Sequence, residues 1–153
     1  MDESYEVTWF PSYGPEMRGG TANCTVIIAD EEIGAPLVRN PTAAIAMNLP
    51  SLDKYEPLVK TDGLLVVNQS MVDRGVERTG IKSVLVPGVE IAEKIGSSRV
   101  LNMVMLGALL SNLSVTSIEA VEKAMEKHTP ERNRKFIPMN IVAMHEGAKF
   151  TAS

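Results

Sequence analysis

Nine residues near the start of the chain, Ser12-Tyr13-Gly14-Pro15-Glu16-Met17-Arg18-Gly19-Gly20, have the chemistry of an anion-binding loop. Gly14, Gly19 and Gly20 let backbone N–H groups approach a ligand closely. Arg18 can grip a phosphate with two N–H donors, and Ser12 and Tyr13 add hydroxyls. The run follows a β-like stretch, Val7–Phe10, and open α/β sheets place their ligands just beyond strand ends. The same residues also describe a tight turn in which Arg18 pairs with Glu16 or another carboxylate. The run is not a P-loop, because the GxxxxGK[ST] spacing is absent.

Other candidates are weaker. Asn68-Gln69-Ser70 follows an apolar stretch, so these side chains either line a cleft at a strand end or form a turn. Asn48 holds the matching place one strand earlier and could equally cap the next helix. Cys24 lies in a strand pattern, where a free cysteine behaves as a small buried hydrophobe. His128 and His145 lack metal-ligand spacing. The nine methionines read as core and interface filler. No nucleophile–base pair, acid–base dyad or metal cluster emerges, and a possible phosphate loop without a reactive centre suits a binding component.

The elements that must position these residues follow from periodicity. Val7–Phe10 and Thr21–Ala29 read as strands, with Pro11 barring a central strand between them. Asp30 to Pro36 is a turn. Ala43–Met47, Leu64–Asn68 and Ser83–Val86 are short apolar strands. Ser51 is placed to cap a helix running to Lys60, with Pro57 forcing a kink or early stop. Asp62-Gly63 is a turn. Val89–Ile95 is a helix with Gly96 in the left-handed position after it. Arg99–Leu113 is apolar nearly all round, which predicts a buried helix. Thr116 to Glu119 forms a capping box for a helix whose apolar face is Ile118, Val121 and Met125. Thr129-Pro130 opens another helix, Pro138 splits it, and Gly147 ends the second piece. Short apolar strands joined by crossovers predict one domain, residues 1–153, as an α/β fold: a three-layer α/β/α sandwich with a mostly parallel sheet.

Composition removes several functions. The chain has 153 residues, 44% of them hydrophobic and 22% charged, which suits an ordered globular domain. A net charge of −4 without a Lys/Arg block gives no case for nucleic acid or an anionic membrane. One cysteine supplies neither an internal disulfide nor the roughly four thiolates of an iron–sulfur cluster. Met1–Tyr5 lacks the apolar core of a signal peptide, and Val100–Leu110 is short of the roughly 20 residues that span a bilayer. The expectation is a soluble cytoplasmic chain.

Three stretches carry a resemblance. Val7–Asp30 (VTWFPSYGPEMRGGTANCTVIIAD), Asn48–Val72 and Val86–Leu110 resemble the gamma subunit of 2-oxoacid:ferredoxin oxidoreductases. The PEMRGG form is most similar to the 2-oxoglutarate and 2-oxoisovalerate (ketoisovalerate) members. The resemblance implies a complex that oxidatively decarboxylates a 2-oxoacid, with 2-oxoglutarate the first choice, to an acyl-CoA and passes two electrons to ferredoxin. It implies a non-catalytic subunit at the coenzyme A region, inactive alone, with alpha, beta and ferredoxin-like partner subunits holding thiamine diphosphate and iron–sulfur clusters. Ser12, Tyr13, Gly14, Glu16, Arg18, Gly19 and Gly20 then fall on the family's loop, with Arg18 facing a coenzyme A phosphate or a neighbouring subunit. Asn68 is the further candidate contact. Family members normally begin with a strand, a GxGGQG turn and a helix that this sequence lacks. Their absence predicts weaker independent coenzyme A binding and edges prone to self-association. The alternatives are a subunit of an indolepyruvate:ferredoxin oxidoreductase, a stand-alone coenzyme-binding module, and a ligand-free interaction fragment.

Overall fold

The computed structural model describes residues 5–12, 22–34 and 37–152, with Ser12 described by its backbone only. It divides into two compact units, Met1–Arg39 and Asn40–Ser153.

In the first unit, β1 (Glu6–Ser12) pairs antiparallel with β2 (Asn23–Ala29). The register sets Val7 opposite Ile28, Trp9 opposite Val26 and Pro11 opposite Cys24. Because cross-strand partners share a face, these residues form one side of the ribbon. Trp9 is 59% exposed and Val26 54%. β1 runs on through Pro11, which differs from the expected stop. Each strand of a two-stranded ribbon bonds on one side only, so a missing N–H is tolerated there. Cys24 is exposed rather than buried, since alternation turns it outward with Val26 and Ile28.

The second unit is built on a parallel sheet in the order β3 (Ala43–Ala46), β4 (Leu64–Asn68), β5 (Lys82–Val86). All five residues of β4 are buried, which explains its unbroken LLVVN run. Its side chains alternate between two layers. Leu64 and Val66, with Val84 and Val86 of β5, pack against α2 (Gly88–Ile95), α3 (Leu101–Asn112) and α5 (Ile137–Gly147). Leu65 and Val67, with Ala46 of β3, pack against Leu52 of α1 (Leu49–Tyr55), Val59, Val72, Val76 and Ile81. The sheet is therefore the middle of three layers, as expected.

The helices α3 and α5 meet backbone to backbone. A Cβ on Gly107 would lie 1.9 Å from the Met144 carbonyl oxygen, and one on Gly147 1.8 Å from that of Val104. Neither position has room for a side chain. Asn112, at the end of α3, ties down the C-terminal segment. Its Nδ2 donates to the Phe150 carbonyl and its Oδ1 accepts from the Ala152 N–H, both at 2.8 Å. The remaining helix, α4 (Ile118–His128), is linked to α5 by a 2.6 Å contact between Glu122 and His145.

Several helix ends match their sequence signals. The helix before Pro57 stops early, giving α1 and a 3-10 turn over Glu56–Leu58. Gly96 is left-handed at φ +101°, and Gly147 closes α5. Three signals resolve differently. Of the two caps the sequence offers for α1, Asn48 serves and Ser51 does not: the Asn48 side chain accepts the Ser51 N–H at 3.0 Å. Ser117, not Thr116, caps α4 by accepting the Ala120 N–H at 3.1 Å. The stretch after Pro130 is a 3-10 segment, Glu131–Phe136, and Pro138 sits in the first turn of α5.

Candidate functional site

Parallel strands leave their carbonyl ends on one side, and there β3, β4 and β5 deliver Asn48, Asn68 and the Pro87-Gly88 turn. Asn68 is fully buried. Its Nδ2 donates to the Met47 carbonyl at 3.1 Å, bracing the end of β4 against the end of β3. Its Oδ1 is the one buried side-chain polar atom without a partner among the described residues. A buried acceptor left unpaired costs about 1–3 kcal/mol, so the position is a candidate contact for an N–H or O–H donor. Gly88 is what lets the amide fit. A Cβ there would stand 3.1 Å from Asn68 Oδ1 and 2.6 Å from Leu101 Cδ1.

The N-terminus of α2 opens at the same edge, and the chain's own groups fill it. Ser70 Oγ accepts the Val89 N–H at 3.1 Å, while its hydroxyl donates to the Glu90 carboxylate. That bond, then Glu90's own backbone N–H, holds its carboxyl below the usual range. A carboxylate already sits at the positive end of the helix. Ser70 is thus both a turn residue, in Gln69–Met71, and a cap supplied from outside the helix.

The connection from β4 to β5 is fastened by a network that periodicity did not reveal. Glu56 is 5% exposed and accepts from the N–H groups of Glu77 and Arg78 and from Arg74 Nη1. Arg74 also reaches Asp53 at 2.6 Å, and Arg78 Nη1 donates to the Glu56 carbonyl at 2.9 Å. Burial pushes the Glu56 carboxyl up. The hydrogen bonds from Arg78, Arg74 and Glu77 outweigh it and hold the carboxyl below its usual value. The two carboxylates in turn raise the Arg74 guanidinium above its ordinary value. These partners lie roughly 20 residues apart in sequence, so no local pattern announces them.

Of the sequence-derived candidates, Asn68 stands at the sheet edge, and the backbone of Ser12 ends β1 opposite Asn23. Tyr13, Gly14, Glu16, Arg18, Gly19 and Gly20 lie outside the described residues. Asn48 is engaged as a cap. Among the described residues no three or more His, Cys, Asp or Glu side chains are grouped to hold a metal. Nor is any helix long and apolar enough to cross a membrane.

Known proteins extend this geometry. The family described as "Pyruvate ferredoxin/flavodoxin oxidoreductase" matches residues 1–150. The chain is 37% identical over 142 residues to the 2-oxoglutarate synthase subunit KorC of Methanothermobacter marburgensis, covering 89% of this chain and 75% of that protein. It is 35% identical over 150 residues to the ketoisovalerate oxidoreductase subunit VorA of Methanothermobacter thermautotrophicus, covering 97% of this chain. The chain spans 31% of that relative's length. Among solved structures, the gamma subunit of a keto/oxoacid ferredoxin oxidoreductase from Geobacter sulfurreducens matches with a TM-score of 0.78 at 29% identity, over 97% of this chain and 81% of that one. The 2-oxoglutarate:ferredoxin oxidoreductase of Magnetococcus marinus, solved with 2-oxoglutarate, coenzyme A and succinyl-CoA, shares the fold. Its TM-score is 0.80 at 20% identity, over 95% of this chain and 26% of that one.

Proposed function

The chain belongs to the pyruvate ferredoxin/flavodoxin oxidoreductase family, and from that premise we propose that it is the gamma-type component of a 2-oxoacid:ferredoxin oxidoreductase. The whole complex converts a 2-oxoacid and coenzyme A to an acyl-CoA and carbon dioxide, and its two electrons go to ferredoxin. The observation that carries this reading is the family match over residues 1–150, joined to a KorC relative of which the chain covers 75%. The preferred substrate is 2-oxoglutarate, supported by the KorC relatives. The VorA relatives favour 2-oxoisovalerate as the second reading.

The residues divide the work accordingly. An iron–sulfur cluster needs about four thiolates and this chain has Cys24 alone, so clusters do not fit it and belong to partner subunits with thiamine diphosphate. Coenzyme A fits better. Its phosphates need cations and backbone N–H groups, which Arg18, Gly19 and Gly20 supply, with Ser12, Tyr13, Gly14 and Glu16 shaping the loop. The α2 N-terminus, filled by Ser70 and Glu90, is a poorer phosphate site. Asn68 Oδ1, an acceptor without a partner, suits an amide N–H or hydroxyl and repels phosphate. The chain itself performs no chemical step. It works in the cytoplasm beside alpha, beta and ferredoxin-like subunits.

Two measurements test the reading. Calorimetry of coenzyme A at low salt is expected to weaken by about 1.5–3 kcal/mol in Arg18→Ala, the worth of a charge-assisted hydrogen bond. Equal binding by both chains would remove the loop from the site. Tagged chain isolated from its native host is expected to bring down partners that reduce ferredoxin with 2-oxoglutarate and coenzyme A. Recovery without such activity on any 2-oxoacid would overturn the assignment.

A further inference from the structure

The connection from β4 to β5 leaves the sheet through Gln69–Met71 and then runs without regular structure to Ile81. Val72 and Val76 pack on a layer in which Ala46, Leu52, Val59, Leu65 and Val67 are each fully buried. The covering stretch is not buried: every residue from 72 to 79 is exposed or half-buried, and the two classes alternate. Its attachments converge on one partner. Among the described residues, the backbone from 73 to 79 makes no hydrogen bond to other backbone. Instead the Glu77 and Arg78 N–H groups donate to Glu56 Oε1, and Arg74 Nη1 donates to Glu56 Oε2 at 2.8 Å. Arg74 also donates to Asp53, and Arg78 Nη1 to the Glu56 carbonyl. Both ends are anchored separately. Ser70 is held by Val89 and Glu90, the Gly80 carbonyl accepts the Asp62 N–H at 2.7 Å, and the Lys82 N–H donates to the Gly63 carbonyl at 2.8 Å.

A segment with irregular backbone and no fully buried side chain belongs to the least stable part of a fold. Here it is pinned at both ends and fastened between them by a single buried carboxylate, so releasing that carboxylate frees the middle and leaves the ends in place. We propose that residues 72–79 form a strap that lifts from the sheet as a unit while β4 and β5 stay folded, with the Glu56 carboxylate as its latch. Lifting exposes part of the apolar layer beneath Val72 and Val76. The device does not depend on the reaction proposed above.

Amide hydrogen exchange of the whole chain at neutral pH, followed residue by residue by NMR, reads this opening. In the parent chain the Glu77 and Arg78 amides are expected to be protected at least about a hundredfold less than those of Val66 and Val67 in β4, which open only when the sheet unfolds. Glu56→Gln keeps the side chain's shape and removes its charge. It should cut the protection of Glu77 and Arg78 at least about tenfold further, while Val66 and Val67 stay strongly protected. Arg74→Gln, which leaves the carboxylate in place, should cut it less. Equal protection of the strap and β4 in the parent would mean that the strap leaves only with the whole fold, and would overturn the proposal. So would unchanged protection of Glu77 and Arg78 in Glu56→Gln, or protection at β4 falling to the level of the strap. The parent comparison needs no substitution, so it decides the matter even where Glu56→Gln does not fold.

Discussion

The ribbon of β1 and β2 and the sheet of β3, β4 and β5 use similar residues in opposite ways. In the ribbon, exposure alternates strictly along β2, and Val26 and Ile28 stay in solvent. In the sheet, Leu65, Val66 and Val67 are each fully buried, because helices or chain cover both faces. Fully burying one such side chain contributes about 1.5–3 kcal/mol, a gain the exposed residues of the ribbon forgo. A two-stranded ribbon is marginal in water by itself. Stability is therefore concentrated in Asn40–Ser153, while the ribbon presents the apolar side chains and carries the candidate anion loop between its strands.

The sharpest way to break that contrast is a single methyl group. Gly147→Ala forces a Cβ onto the Val104 carbonyl and is expected to cost more than about 3 kcal/mol in denaturant melts. Gly34→Ala, in the first unit with nothing within 4 Å, should stay within about 0.5 kcal/mol. Comparable losses would mean that α3 and α5 can part without penalty.

Core truncation separates the units next. Leu65→Ala should destabilise by about 2–5 kcal/mol and Val26→Ala by under about 0.5 kcal/mol. A large loss at Val26 would show that its face is covered in solution.

A smaller effect tests the loop network. Glu56→Gln should lower stability at neutral pH by about 1–3 kcal/mol. The Glu56 carboxyl titrates lower in the folded chain than in the unfolded one. Its stabilisation is therefore complete above the unfolded value and disappears as pH falls through the folded one. The variant should show a shallower acid loss of stability than the parent, read from thermal melts across pH. Parallel pH curves would remove Glu56 from the acid response. The smallest change is Asn48→Ala, about 1 kcal/mol for a lost cap. A neutral result would leave Ser51, the cap expected from sequence, as the better assignment.

Legibility followed the range of the interaction. Pro57 and Gly96 mark their helix ends because each restricts or frees the backbone at its own position. The caps shifted, Ser51 to Asn48 and Thr116 to Ser117, because neighbouring residues with similar side chains compete for the same N–H groups. At the candidate site the strand that presents Asn68 was legible. The orphaned Oδ1 was not, since it depends on Met47 and Gly88 arriving from other elements.

By itself the sequence determined the three-layer α/β plan, the buried run of β4, the family through Val7–Asp30, and the lack of thiolates for a cluster. The family rests on resemblance along the chain, and the others are local in composition or spacing. The tertiary structure alone decided that Gly107 and Gly147 are contact points between helices, and that Glu56 is a buried carboxylate held by a distant loop. It also decided that Ser70 and Glu90 fill the start of α2. Each of these joins residues far apart along the chain, which the fold brings within contact distance and no local pattern records.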